Sequence, residues 1–187
     1  MSVAEARHCF TVGEYHRMTQ AGIFTEDDRV ELIEGEVVHM AAIGSRHAAC
    51  VGRLNRLLGR QAGDPAIVRV QDPVRLGDLS EPEPDLVLAR PRADFYAAAH
   101  PTAADVLLLV EVSDSSHRYD ETVKISLYAR HHVPEVWLVD LETDAIRVHR
   151  RPDGETYGSV VSAHPQETLS PAALPDVRIP VQDALGT

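Results

Sequence analysis

One stretch limits the folds open to this chain more than any other: Val106-Leu107-Leu108-Leu109-Val110-Glu111-Val112-Ser113. A continuous apolar run with no polar alternation reads as a strand buried on both faces, so its sheet must be covered on both sides. A helical segment from about Tyr119 to His131 follows, and then a second apolar run, Glu135-Val136-Trp137-Leu138-Val139-Asp140. Strand, helix and strand in that order suit a β-α-β crossover with parallel strands. The expected class is therefore α/β, or mixed α+β, with a central mixed sheet flanked by helices.

Length and composition fit this class. A chain of 187 residues and 20.5 kDa suits one domain over residues 1–187, with its core from about 10 to 185. No stretch approaches the roughly 18 uninterrupted apolar residues of a membrane span. The first ten residues carry acids and histidine where a secretory signal has a basic and then an apolar run, so a cytoplasmic location is expected. Cys9 and Cys50 lack metal-type or disulfide-type spacing and read as small fillers. The net charge of −11 argues against a general affinity for nucleic acid. It leaves room for a local basic face, for which Arg46, Arg53, Arg56 and Arg60 on one predicted helix are the candidates; a merely solvated helix surface is the alternative.

Elsewhere the signals are local. Thr11-Val12-Gly13-Glu14 has a capping-box pattern and predicts a helix to about Gln20. Glu34-Gly35, between Val30-Glu31-Leu32-Ile33 and Glu36-Val37-Val38-His39-Met40, predicts a tight hairpin in which Gly35 takes positive φ. Ser45 is placed to cap a helix to about Ala62, with Gly63 as its stop. A strand is expected over 67–76, with Pro73 as a bulge or an edge, and Asp85 opens another, Asp85-Leu86-Val87-Leu88. Ala145–Val148 and Gly158–Val161 pair about the turn Pro152-Asp153-Gly154, and the proline-rich tail is expected on the surface.

The chemistry concentrates on three side chains. Of 18 Lys and Arg residues, Lys124 is the one lysine, as if this position required a compact ammonium rather than a guanidinium. Glu111 ends the buried strand, where a carboxylate is costly unless a cation or hydrogen bonds satisfy it. If the strand opened by Asp85 neighbours the strand ended by Glu111, the two carboxylates meet at one end of the sheet, a usual place for sites in open α/β sheets. Two such charges about 5 Å apart repel by roughly 3 kcal/mol at an effective dielectric near 20. The pair therefore needs a cation or a shared proton, and oxygen donors favour Mg²⁺ or Mn²⁺ over zinc.

Several segments together carry a family resemblance: Glu31-Leu32-Ile33-Glu34-Gly35-Glu36, Ser45-Arg46-His47, Glu83-Pro84-Asp85-Leu86, Val110-Glu111-Val112-Ser113, Tyr119-Asp120-Glu121-Thr122-Val123-Lys124 and Val133-Pro134-Glu135-Val136-Trp137-Leu138-Val139-Asp140. Their order and spacing resemble the Uma family of bacterial proteins, whose fold is restriction-endonuclease-like, of the PD-(D/E)xK superfamily. The resemblance implies a divalent-metal-dependent nuclease acting on nucleic acid, with DNA favoured over RNA, and a homodimer by analogy. On this pattern Asp85 and Glu111 bind Mg²⁺ or Mn²⁺ together with the Val112 carbonyl, and Lys124 is the catalytic lysine. The superfamily's usual lysine falls at position 113, where this chain has Ser113, so Lys124 on the following helix looks like its migrated replacement. Glu31 or Glu36 would supply a further carboxylate, His47 lies at the matching helix start, and Tyr128 sits one turn beyond Lys124.

Each position also has a plainer reading. Asp85 could cap a turn after Pro84. Glu111 could pair with Arg118, Lys124 with Asp120 in an ordinary helix pair, and Glu31 or Glu36 with Arg29. His47 could be a surface histidine of a first helical turn, and the arginine bias could follow from codon usage. At the level of the whole chain, the rival is a catalytically inactive module that keeps the fold for binding or assembly, which the acidic charge and Ser113 favour.

Overall fold

The computed structural model describes residues 7–25, 27–114 and 118–187, with only the backbone described at 118–121. In chain order the elements are α1 (Val12–Gln20), β1 (Val30–Ile33), β2 (Glu36–His39), α2 (Ser45–Ala62), β3 (Ile67–Val70), β4 (Leu86–Ala89), β5 (Val106–Ser113), α3 (Arg118–Arg130), β6 (Glu135–Asp140), β7 (Ala145–Asp153), β8 (Thr156–Ala163), β9 (Thr168–Leu169), β10 (Ile179–Pro180) and α4 (Val181–Leu185). A six-stranded sheet runs in the order β3-β4-β5-β6-β7-β8. Within it β5 and β6 are parallel, joined through α3, and the other neighbours are antiparallel.

Both faces of the sheet's central strands β4, β5 and β6 are buried, as the unbroken apolar run of β5 requires. Leu108, Val110 and Val112 point into one core with Leu54 and Leu58 of α2; Leu109 points into the other with Leu127 and Tyr128 of α3. Alternate residues of one strand thus serve opposite layers. Antiparallel pairing of β4 with β5 sets Leu86 opposite Val110, which brings the start of β4 beside the end of β5. That register is what places Asp85 near Glu111.

The hairpin β1-β2 forms its own two-stranded sheet. Its turn residues Glu34 and Gly35 have φ of 50° and 81°, the mirror-image turn that suits a hairpin's twist. A Cβ on Gly35 would lie 2.5 Å from that of Cys9, so only glycine fits there. The hairpin is fastened to the segment before β4: Glu81 N–H donates to the Leu32 carbonyl at 2.8 Å, Gly35 N–H to that of Leu79 at 2.7 Å, and Glu34 N–H to Ser80 Oγ at 2.8 Å.

Three expectations need correction. The strand expected over 67–76 ends at Val70, because Gln71 turns the chain with φ of 52°; beyond Pro73, Arg75 and Leu76 make only isolated bridges. The α2 N-cap is Gly44 rather than Ser45. The tail is not a surface strap: Val177, Ile179, Val181, Ala184 and Leu185 enter the core beneath α2. Arg53, expected on a basic face, donates through Nε to the Ala184 carbonyl at 3.1 Å and through Nη2 to that of Leu185, closing the end of α4. Arg46 pairs with Asp144 at 3.0 Å, so the Arg53 and Arg46 side chains are both engaged within the chain. The capping box at Thr11 and Glu14 forms as expected.

Candidate functional site

At the junction of β4, β5, the hairpin and α3 lies a cavity of about 640 Å³, lined by Glu31, His47, Asp85, Glu111, Ser113 and Lys124 among others. Each arrives there for a local reason. Asp85 is the residue before β4 and Glu111 the third from the end of β5, so their nearness follows from strand register. Lys124 and Tyr128 are one helical turn apart on α3 and share a face. Glu31 lies in β1, whose four residues are all buried.

The Asp85 carboxylate is held on several sides. Its Oδ2 accepts the Val112 N–H at 2.8 Å and lies 3.0 Å from His47 Nε2, while Oδ1 accepts Gln71 Nε2 at 3.3 Å. The hydrogen bond to Asp85 raises the His47 pKa, against the effect of burial. In a strand the N–H and C=O of one residue point to the same side, so the Val112 carbonyl also faces past the start of β4, toward Asp85.

Glu111 is only 14% exposed at its side chain. Burial, reinforced by the nearby Asp85 charge, pushes its carboxyl up to about 7 even though Lys124 pulls the other way. Tyr128 donates its hydroxyl to Glu111 Oε1, and burial together with the Glu111 charge drives the Tyr128 pKa well up. Lys124 Nζ lies 3.0 Å from Glu31 Oε2 and 3.5 Å from Glu111 Oε1. Burial alone would favour the neutral amine; the carboxylates of Glu111 and Glu31 outweigh it and raise the lysine's pKa. Lys124 is therefore an ammonium at neutral pH, a donor and a positive charge rather than a base.

The structure thus brings Asp85, Glu111, Lys124, Glu31, His47 and Ser113 to one cavity, with Tyr128 buried behind it and bonded to Glu111. Glu36 shares the hairpin face with Glu31 but sits at the cavity's mouth, its side chain 66% exposed and 3.7 Å from Arg7. The side chains of Arg118 and Asp120, alternative partners for Glu111 and Lys124, lie outside the described residues. Gln71 was not foreseen. Only the register of β3 against β4, Val70 opposite Leu86, reveals that the next residue out must face Asp85.

The family model described as "Putative restriction endonuclease", Uma2, matches residues 12–182. Among solved structures, the chain is similar to one described as the crystal structure of "a putative nuclease belonging to DUF820" from Anabaena variabilis ATCC 29413, with 17% sequence identity and a TM-score of 0.69. That likeness covers 95% of this chain and 98% of the other, and it shows a shared fold. No curated protein matches the chain. With a match that spans nearly all of its elements, from α1 into α4, the chain belongs to the Uma2 family.

Proposed function

We propose that this protein hydrolyses phosphodiester bonds in DNA, using a divalent cation of the Mg²⁺ or Mn²⁺ type held by Asp85, Glu111 and the Val112 carbonyl. The observation that carries this reading is the convergence of two carboxylates from adjacent strand ends and the chain's lone lysine on one cavity. Among the described residues no three His, Cys, Asp or Glu side chains form a ready-made metal cage, and the Val112 carbonyl and water would complete the shell about the two carboxylates. The donor set still fits: it is all oxygen, as hard cations prefer. Glu111, buried and raised to about 7, is a carboxyl whose ionised form lacks enough opposing charge, and a dication would supply it.

When bound, such a cation lowers the pKa of a coordinated water and offsets negative charge on the phosphoryl group. The chain's own residues do the rest. Val112 N–H, Gln71 and His47 fix the orientation of Asp85, and Tyr128 fixes Glu111, so both donors are preorganised. Lys124, held as an ammonium, donates to the attacking water or to a non-bridging phosphoryl oxygen and stabilises the charge that develops there. The attacking water gives one proton to solvent as its oxygen bonds to phosphorus, the P–O ester bond breaks, and the leaving alkoxide takes a proton from solvent.

The test is cleavage of plasmid and oligonucleotide DNA with Mg²⁺ or Mn²⁺, alongside calorimetric titration of the cation. Cleavage that disappears in Asp85→Asn and Glu111→Gln, with Mn²⁺ affinity lost in both, is the expected result. Cleavage undiminished in either variant, or no Mn²⁺ binding by the wild-type protein at neutral pH, would overturn the proposal.

A further inference from the structure

A lysine at position 113 would take its place from strand pairing, because β5 is held on both sides by β4 and β6. Position 113 is serine here, and the ammonium comes instead from α3, on a long side chain with four rotatable bonds. Such a group needs an external anchor. We infer that Glu31 is that anchor: a positioning residue that holds the Lys124 ammonium beside the carboxylate pair, and not a ligand of the cation. This rests on the nuclease reading above.

Three observations carry the inference. Lys124 Nζ is closer to Glu31, at 3.0 Å, than to Glu111, at 3.5 Å. The same oxygen, Glu31 Oε2, accepts the Glu83 N–H at 3.1 Å, so the protein already engages it twice. Finally, the strand that carries Glu31 is not free to drift. It is buried along its length and joined at Leu32 to Glu81, four residues before Asp85. The hairpin is therefore referenced to the same segment that delivers Asp85, and Glu31 transfers that reference to Lys124.

The anchor also has a separating role. Among the described residues Glu111 is the other carboxylate paired with the ammonium, at 3.5 Å, and without Glu31 the lysine would close on Glu111 and compete for the oxygen that the cation needs. Glu31 splits the attraction, so that Lys124 serves both as neighbour of Glu111 and as a charge available to the substrate.

Because the chain holds one lysine, its side-chain ammonium gives one NMR signal, free of overlap from other lysines. The experiment uses full-length protein: ¹⁵N-detected or ¹⁵N-correlated spectra of that ammonium, Mn²⁺ titration by calorimetry, and DNA turnover, in wild type, Glu31→Gln and Lys124→Met and in the double variant. Expected in Glu31→Gln are an ammonium signal broadened by faster exchange with water, Mn²⁺ affinity within about threefold of wild type, and turnover lower by about 10²-fold, the scale of a misplaced catalytic group. In the Lys124→Met background Glu31→Gln should then cost nothing further, since its effect runs through the lysine. An unchanged ammonium signal, Mn²⁺ affinity weakened tenfold or more, or additive losses in the double variant would each overturn the inference. Should Glu31→Gln not fold, Glu31→Asp keeps the charge and shortens the reach; an ammonium as sharp as in wild type would then count against the anchor. The spectra need no catalysis, so absent cleavage with a Glu31-dependent ammonium signal would defeat the nuclease reading and leave the anchor standing.

Discussion

Glu111→Gln should make the metal-free protein more stable at alkaline pH while removing its capacity to bind a cation. Burial, with Asp85 beside it, raises the Glu111 carboxyl from 4.5 to about 7. The folded protein therefore binds this proton more tightly than the unfolded chain, and the corresponding stability is fully present below about pH 4.5 and lost as pH rises through 7. Over that window the loss is about 3 kcal/mol as an upper figure. Gln mimics the protonated carboxyl: it can still accept from Tyr128, and Lys124 keeps its partner Glu31 at 3.0 Å. In chelator at pH 8 the variant should thus gain about 1–3 kcal/mol, or roughly 2–10 °C in Tm for a domain of this size. At pH 5 the gain should be nearly gone, because wild type is then protonated at the same site. Added Mn²⁺ should reverse the order at pH 8, stabilising wild type by mass action and leaving the variant unmoved. Thermal unfolding at the two pH values, with and without Mn²⁺, reads all of this. If Glu111→Gln is less stable than wild type at pH 8 in chelator, Glu111 is a structural ion-pair partner and the reasoning fails.

Other outcomes follow from the same contacts. Asp85→Asn keeps an acceptor for the Val112 N–H, so calorimetry should show Mn²⁺ affinity lost by tenfold or more while Tm moves by only a few degrees. Lys124→Met leaves two buried carboxylates without their ammonium and should cost about 3–5 kcal/mol at pH 8 in denaturant unfolding. Lys124→Arg retains the charge, but the planar fork does not fit a site built for a compact ammonium; turnover equal to wild type would refute that. Ile179→Ala should cost about 2–5 kcal/mol, since the tail is part of the core, and an unchanged unfolding midpoint would return the tail to the surface.

The sequence was most legible where structure follows from neighbouring residues. The unbroken apolar run of β5 demanded cover on both faces, and α2 and α3 supply it. The Thr11 capping box and the Glu34-Gly35 turn are fixed by backbone chemistry within four residues, and both form. The tail was misread because Val177, Ile179, Val181 and Leu185 stand among prolines with no helical period, and their burial depends on contact with a helix more than a hundred residues earlier. Gln71 was missed for a related reason: nothing in its own surroundings marks it, and only the β3-β4 register carries it to Asp85.

Lys124 shows what local reading does not reach. Asp120, four residues before it, is the partner that helix geometry offers first, and an exposed pair of that kind is worth about 0.3–0.5 kcal/mol. The Asp120 side chain lies outside the described residues; the structure buries the ammonium against Glu31 and Glu111, from two strands far apart in the chain, where opposing charges lie within 3.5 Å and solvent screening is weak. A lone lysine in an arginine-rich chain has two explanations, codon usage or chemistry. Codon usage makes no demand on where the lysine falls. A position between two buried carboxylates, near the start of β4 where Asp85 lies, does make such a demand: an ammonium satisfies both from one point, whereas arginine presents a larger, planar fork.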